Sequence, residues 1–149
     1  MKMKKLLLFL LIIPNLLMAE QIGSWTLDEF PRAAEIYTTN EDSVIGFVCH
    51  ISACISYLNN VDIHCVEGDK NAYLFNGRKS IYSETECVIW EGRYVNKILN
   101  ENIVLMLEDS LEIQVAVPLA NGSFKINKYS VDGFREAVKR VLKFSDVEA

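Results

Sequence analysis

The sequence predicts a β-rich α+β fold, an antiparallel β-sandwich or partly open barrel with an amphipathic C-terminal helix. Three observations support this prediction. Short runs rich in β-branched and aromatic residues recur along the chain, separated by Asn, Gly and Asp. Residues 111–118 alternate between apolar and polar side chains, as a half-buried strand does. Apolar residues at helical spacing then follow between residues 131 and 142.

Short strand-like runs fill the first two thirds of the chain. They are residues 22–26, 34–38, 43–49, 53–58, 61–66, 72–75, 81–83 and 87–90. The runs 43–49 and 53–58 are expected to form a hairpin, while residues 28–32 are expected to form a loop. Residues 40–42 predict a polar turn, and the Asn-Gly pair at 76–77 predicts a tight one.

The clearest hairpin lies in the last third. Its first strand, residues 111–118, places four apolar side chains on one face: Leu111, Ile113, Val115 and Val117. The Asn-Gly pair at residues 121–122 is expected to turn the chain. Phe124 and Ile126 then continue the apolar pattern on the return strand.

Two further segments flank this hairpin. Residues 103–107 fit either a strand or a short helix capped by Asn100, and periodicity alone does not decide between them. After the hairpin, Ser130 is predicted to cap the final helix. The apolar face of that helix is formed by Val131, Phe134, Ala137, Val138, Val141 and Leu142.

The first 19 residues have the order of a cleavable signal peptide. Lysines precede an unbroken apolar run at residues 6–13, a Pro-Asn break follows, and Ala19 marks the expected cleavage point. The apolar stretch is shorter than the roughly 20 residues that a membrane span needs. We therefore expect a single domain, residues 20–149, in the periplasm without a stable membrane anchor.

The net negative charge argues against nucleic acid as the binding partner. The full chain carries a charge of −5, and removal of the three lysines in residues 1–19 lowers it to −8. Such a domain would be repelled by the phosphates of nucleic acid, so nucleic-acid binding is not expected. A basic protein partner is compatible with this charge.

Four cysteines remain after residue 19, and an even number in an exported chain predicts disulfide bonds. They are Cys49, Cys54, Cys65 and Cys87. Of three possible pairings, we favour Cys49–Cys54, across a four-residue gap that a turn can close. Cys65–Cys87 would then close a longer loop.

A metal site is the alternative use of these cysteines. Cys49 precedes His50, and His64 precedes Cys65, so two Cys/His pairs could offer zinc ligands. The spacing matches no established zinc motif, however, and an oxidising compartment favours disulfides over free thiols. We therefore expect no metal or cofactor.

No catalytic motif is recognisable. The chain lacks the nucleophile elbow, the phosphate-binding loop, the dinucleotide fingerprint and the EF-hand loop. Its carboxylates lie mainly in predicted turns, where such groups are usually solvated. We therefore expect a non-enzyme with no catalytic residues.

A surface for partner binding is predicted around residue 90. Trp90, Arg93 and Tyr94 share one short segment that is expected to form a loop, and Trp, Tyr and Arg are enriched at the energetic centres of protein interfaces. An exposed edge strand would also allow a homodimer.

The order of elements resembles the invasion-associated locus B family of small exported proteins. The resemblance rests on Trp25 in an early strand, on residues 103–129 and on Val-Asp-Gly-Phe at residues 131–134, followed by Ala137. It implies a β-rich domain ending in a hairpin and a helix, with roles in host-cell invasion and the envelope. The four-cysteine middle departs from the family pattern, and the family has no established catalytic residues to carry over.

Together these observations predict a non-catalytic periplasmic protein-binding module, envelope- or virulence-associated. One alternative is an immunity protein or inhibitor that neutralises a secreted toxin or hydrolase. Another is a carrier for a small apolar ligand.

Overall fold

A ten-stranded antiparallel sheet and two short helices make up the described part of the chain, residues 19–61 and 64–145 of a computed structural model. The strands are β1 (Glu20–Ile22), β2 (Trp25–Glu29), β3 (Ala33–Asn40), β4 (Ser43–His50), β5 (Ala53–Asn60), β6 (Lys70–Asn76), β7 (Ser80–Trp90), β8 (Arg93–Ile98), β9 (Glu112–Pro118) and β10 (Phe124–Ser130). The helices are α1 (Asn102–Glu108) and α2 (Phe134–Leu142). The β-rich α+β class is confirmed.

The strands follow the order β1-β2-β3-β4-β5-β8-β7-β6-β9-β10, and backbone pairing does not close the sheet. The finer description as a sandwich or partly open barrel stays a prediction. The first five strands form a meander, which meets the second half of the sheet between β5 and β8. That junction has a single registered pair, Tyr57 with Lys97.

One main core receives side chains from both halves of the sheet. Ile36 and Ile45 come from the first half, and Phe75 and Val115 come from the second. Helix α2 adds its apolar face to this core and packs against β1, β2, β3, β4 and α1. The amphipathic C-terminal helix is thus confirmed.

The end strand β10 lies against β3 through side chains. Thr38 Oγ1 donates to the carbonyl of Ser130 at 3.1 Å, and Asn40 Nδ2 donates to the carbonyl of Lys128 at 2.8 Å. Lys125 pairs with Asp42 at 2.6 Å. These bonds satisfy carbonyl groups that an edge strand would otherwise leave open for pairing.

The N-terminal hairpin β1–β2 and the start of helix α2 meet at Trp25. Its indole is fully buried, donates from Nε1 to the carbonyl of Val131 at 3.1 Å, and lies 4.9 Å from the Phe134 ring. Gly23 and Gly133, both with positive φ, touch each other here. A Cβ on Gly133 would lie 2.8 Å from the Ile22 carbonyl oxygen, so this close backbone approach requires glycine.

Both favoured disulfides are present, Cys49–Cys54 and Cys65–Cys87. Cys49 and Cys54 are directly opposite each other in the β4–β5 hairpin. The four sulfur atoms are therefore paired in two separate bonds, and none is a free thiolate that could bind a metal. Two disulfides are typical of a protein that folds in an oxidising compartment.

No helix in the described ranges is long and apolar enough to cross a membrane. The predicted signal peptide lies almost wholly outside those ranges, because the description begins at residue 19. The cleavage point and the periplasmic location stay predictions.

Several strand boundaries differ from those predicted. Residues 22–26 split at a turn into β1 and β2, and residues 28 and 29 continue β2 instead of forming a loop. The runs 81–83 and 87–90 join into the single strand β7, because continuous pairing with β6 and β8 carries the polar residues between them. The strand predicted at 61–66 is wrong for the residues that the structure describes: β5 ends at Asn60, and residues 61 and 64–66 belong to no strand. Residues 62 and 63 lie outside the described ranges.

The predicted last hairpin is present, formed by β9 and β10. Its loop covers residues 119–123, and Ile126 lies opposite Ala116. Phe124 and Ile126 lie on the return strand as predicted, with exposed side chains, whereas Asn127 and Tyr129 are buried.

Capping residues are predicted for both helices, Asn100 for the first and Ser130 for the second. Residues 103–107 lie within helix α1, so the helix alternative is the right one. The helix begins one residue later than predicted, with Glu101 as its N-cap, and the Asn100 side chain accepts the Asn102 amide at 3.0 Å in the turn before it. The Ser130 cap is wrong. Ser130 ends β10 and bonds to Ser24, while Gly133 precedes helix α2 with φ of 85°.

Because several tyrosines are buried, we expect the protein to become less stable at high pH. Burial raises the pKa of Tyr73 to about 12 from an ordinary value of 10.0. Below pH 10 the hydroxyl is protonated in both the folded and the unfolded state. Between about pH 10 and 12 only the unfolded state releases its proton, so the free energy of unfolding falls by up to about 1.4 kcal/mol per pH unit.

Tyr57 and Tyr129 should add to this slope, since burial raises their pKa values as well. Urea titrations from pH 8 to pH 11.5 would measure it, with Tyr73→Phe as the comparison. We expect the phenylalanine variant to lose less stability over the alkaline range. An identical slope in both proteins would contradict the assignment to Tyr73.

Candidate partner-binding site

A groove of about 460 Å³ lies on the face of the sheet opposite the main core. The β2–β3 turn forms one side of it, the β7–β8 hairpin forms the other, and β3 and β4 form its floor. Its lining residues are Phe30, Pro31, Arg32, Ala33, Glu35, Val48, His50, Trp90, Glu91 and Arg93.

A buried carboxylate lies in the floor of the groove. The Glu35 side chain is only 4% exposed, and its Oε1 accepts a hydrogen bond from Arg93 Nη2 at 3.0 Å. The Tyr57 hydroxyl donates to the same oxygen. A buried carboxylate needs such partners, because an unpaired charge in the interior is very unfavourable.

The surroundings of Tyr57 and Arg93 determine the charge of each side chain. Burial, together with the neighbouring Glu35 carboxylate, raises the pKa of Tyr57, so its hydroxyl remains a donor. Burial lowers the pKa of Arg93, but its hydrogen bond and ion pair with Glu35 outweigh that effect and raise it overall. Arg93 is therefore a fixed cation whose side chain remains 51% exposed at the groove.

Gly46 allows Tyr57 to reach Glu35. Tyr57 lies opposite Gly46 in the β4–β5 pair, and its ring lies over the glycine. A Cβ on Gly46 would overlap that ring, so a larger residue would push the hydroxyl away from the carboxylate. Glycine in a strand interior is unfavourable by itself, and it often marks a close approach of this kind.

A small apolar cluster supports the groove from below. It consists of Val48, Ile55, Tyr57 and Val95, with Val44, Val88 and Trp90 packed around it. The Trp90 indole nitrogen is buried and has no acceptor among the described residues. Since buried indole N–H groups usually find a partner, this donor is one that a bound molecule could satisfy.

The rim of the groove is set by a two-residue hairpin turn. Glu91 and Gly92 both have positive φ, at 47° and 76°, as a type I′ turn requires. Glu91 lies 3.5 Å from His50 across the rim. On the opposite rim, Arg32 is exposed and has no ion pair within the described ranges.

The structure separates the three residues that were predicted to bind a partner. Trp90 and Arg93 lie opposite each other in the β7–β8 pair, and both line the groove. Tyr94 points to the other face of the sheet, next to Ile89, because successive strand residues alternate in direction. The predicted loop is wrong, because Trp90 ends β7 and Arg93 begins β8, so the segment is a hairpin with a two-residue turn.

Glu35 and Tyr57 were missed as site residues. Glu35 lies within the apolar run Ala34–Ile36, and a charged residue at the centre of a buried strand was the available signal. Tyr57 gave no such signal, since an aromatic residue on a strand normally indicates core packing.

Comparisons with known proteins support the fold. No protein-family profile matches this sequence, and no curated protein matches it. A similar solved structure is the crystal structure of invasion associated protein b from Bartonella henselae, with a TM-score of 0.57 and 14% sequence identity. The match covers 85% of this chain and 96% of the other. The resemblance predicted from sequence is thus confirmed at the level of the fold alone.

Proposed function

We propose that this protein is an exported, non-catalytic protein-binding domain that holds its partner in the groove beside Trp90 and Arg93. One observation carries the proposal: Arg93 is held by a buried carboxylate at the mouth of an apolar groove. A cation fixed in this way loses little freedom on binding, which favours affinity.

The chemistry of the groove indicates what the partner presents. Phe30, Pro31 and Trp90 form apolar walls that would receive an aliphatic or aromatic side chain. Arg93 and Arg32 would meet an acidic side chain or backbone carbonyl groups next to it. Trp and Arg in a rigid pocket are the residue types that dominate binding energy at protein interfaces.

The proposed location is the periplasm. Two disulfides and the predicted signal peptide at residues 1–19 support it. Because a protein of similar fold is named an invasion associated protein, we place this one in the same broad envelope- or virulence-associated class. That part of the proposal rests on fold similarity.

Two other partners are consistent with particular observations. A charge of −8 after cleavage would attract a basic toxin or hydrolase, as an immunity protein or inhibitor does. The groove volume of about 460 Å³ also lies within the usual range for small-molecule sites, which fits a ligand carrier.

Site-specific photo-crosslinking in the source cells would test the proposal. A photoreactive residue at Phe30, on the lip of the groove, should capture one protein, whereas the same residue at Tyr94 should not. Trp90→Ala and Arg93→Ala should each reduce capture at Phe30 at least tenfold. Tyr94→Ala, which removes an aromatic side chain from the opposite face, is the matched control and should leave capture unchanged.

The identity of the captured molecule separates the alternatives. An envelope protein supports the proposed class, and a secreted toxin or hydrolase supports the inhibitor. A folded protein that crosslinks to nothing at Phe30, or equally at Phe30 and Tyr94, would refute the groove as a protein-binding site. A small molecule that copurifies and is lost in the Trp90→Ala variant would then indicate a carrier.

A further inference from the structure

A second cavity, of about 370 Å³, lies between helix α1 and the turn that joins β6 to β7. Its volume is within the usual range for small-molecule sites. It shares no lining residue with the groove beside Trp90. We call it the α1 pocket, and its walls include Arg78, Lys79, Ile81, Leu105, Met106 and Asp109.

Part of the wall of the α1 pocket is apolar. Met106 is buried in the main core, and Ile81, at the start of β7, packs against that core. Leu105 lies between them and the solvent on the pocket side of α1, and it is 59% exposed. An apolar group in the pocket would therefore cover Leu105 and touch the edge of the core, where a flexible methionine can adapt to its shape.

Hydrogen bonds fix the helix and the turn on either side of the α1 pocket. Just before α1, Asn100 Nδ2 donates to the carbonyl of Tyr82 at 3.1 Å. Just after it, Ser110 Oγ accepts the amide of Arg78 at 3.2 Å. Gly77 permits this second contact, because a Cβ there would overlap the Ser110 side chain. A ligand would thus not have to order the pocket, which favours affinity.

Two cations line the α1 pocket without a carboxylate partner. Arg78 and Lys79 are exposed neighbours in the turn, and neither forms an ion pair within the described ranges. The pocket carboxylate, Asp109, lies 3.6 Å from Arg135 of helix α2. Glu112, at the start of β9, is paired with neither cation. In a chain of negative net charge, two adjacent unpaired cations beside an apolar wall indicate an anionic ligand.

We propose that the α1 pocket binds a small carboxylic acid with an unbranched apolar tail, of which octanoate is an example. Arg78 and Lys79 hold the carboxylate, and the guanidinium can donate to both of its oxygens in parallel. The tail lies along Leu105 and Met106. A dianionic head group such as phosphate is disfavoured, because Asp109 repels its second negative charge. The site is separate from the groove, so this proposal does not rest on the proposed function.

An NMR titration with octanoate tests the site directly. In isotope-labelled protein purified after expression of the full chain, the amide signals of residues 77–82 and 102–109 should shift, whereas the Trp90 indole signal should not. Octanamide, which has the same tail without the charge, should bind at least tenfold more weakly. Hexanoate should bind roughly tenfold more weakly, because each buried methylene tightens binding about three- to fourfold. Octyl phosphate should bind no tighter than octanoate.

Matched variants separate the charge from the apolar wall. Arg78→Gln and Lys79→Gln should each weaken octanoate binding at least fivefold, whereas Lys128→Gln, at an exposed lysine of β10, should leave it unchanged. Leu105→Gln should weaken binding to a similar extent. Leu111→Gln, at an apolar residue 74% exposed outside the pocket, should not. Circular dichroism would establish that each variant is folded.

Several outcomes would overturn the proposal. Shifts at the Trp90 indole instead of near α1 would place the anion in the groove. Equal binding of octanoate and octanamide, or unchanged binding in both the Arg78→Gln and Lys79→Gln variants, would show that the two cations do not hold the carboxylate. The absence of any shift at millimolar octanoate would mean that the pocket does not bind this class of molecule.

Discussion

Replacing Trp25 with alanine is expected to lower the free energy of unfolding by about 3–5 kcal/mol. The side chain is fully buried and lies between the N-terminal hairpin and helix α2. Its removal leaves a cavity beside Phe134 and leaves the Val131 carbonyl without its indole donor. Both losses act at the point where residues more than 100 positions apart meet, so no local element can compensate.

Urea denaturation followed by circular dichroism would measure this effect. Trp90→Ala is the matched control, because it removes the other tryptophan from a half-buried position and should cost clearly less. Trp25→Phe should fall between the two, since it keeps an aromatic ring and loses the hydrogen bond, which is worth about 1 kcal/mol. If Trp25→Ala cost no more than Trp90→Ala, Trp25 would not be the main link between the N-terminal hairpin and helix α2.

Replacing Arg93 with methionine is expected to lower the free energy of unfolding by about 2–3 kcal/mol. The substitution leaves the Glu35 carboxylate buried without its cation, which normally costs 3–5 kcal/mol in a fully buried pair. We take a lower value, because half of the Arg93 side chain is exposed and water can reach the site.

A double-mutant cycle isolates this cause. In a Glu35→Gln background the buried charge is absent, and the amide can still bond with the Tyr57 hydroxyl. Arg93→Met should then cost at least about 1 kcal/mol less than it does in the wild-type protein. Equal costs in the two backgrounds would mean that Arg93 stabilises the protein through packing of its stem alone.

This result also bears on the binding experiment. If Arg93 holds the groove together, part of its effect on partner capture would arise from a disturbed site and not from a lost contact. Capture by Glu35→Gln separates the two effects, because that variant retains the arginine but releases it from its anchor. We expect an intermediate loss of capture, since a freely rotating guanidinium loses more entropy when it binds.

The sequence by itself determined the features that depend on local pattern. Alternating side chains and turn residues were sufficient to predict the β-rich class and the β4–β5 hairpin. The short separation of Cys49 and Cys54, within that hairpin, was sufficient to predict that they pair. Helical periodicity was sufficient to predict α2, since apolar residues recur on one face over more than two turns.

Only the tertiary structure decided features that depend on register or on distant contacts. The register of β10 against β9 places Ile126 opposite Ala116 and leaves its side chain exposed, while Tyr129 enters the core. Glu35, Tyr57 and Arg93 come from β3, β5 and β8, and no local pattern brings them together. Tyr94 faces away from Trp90 because the segment between them is a hairpin, and strand alternation then fixes the direction of each side chain. The physical reason is common to all three, since pairing between strands is set by the free energy of the whole core and not by the residues of one segment.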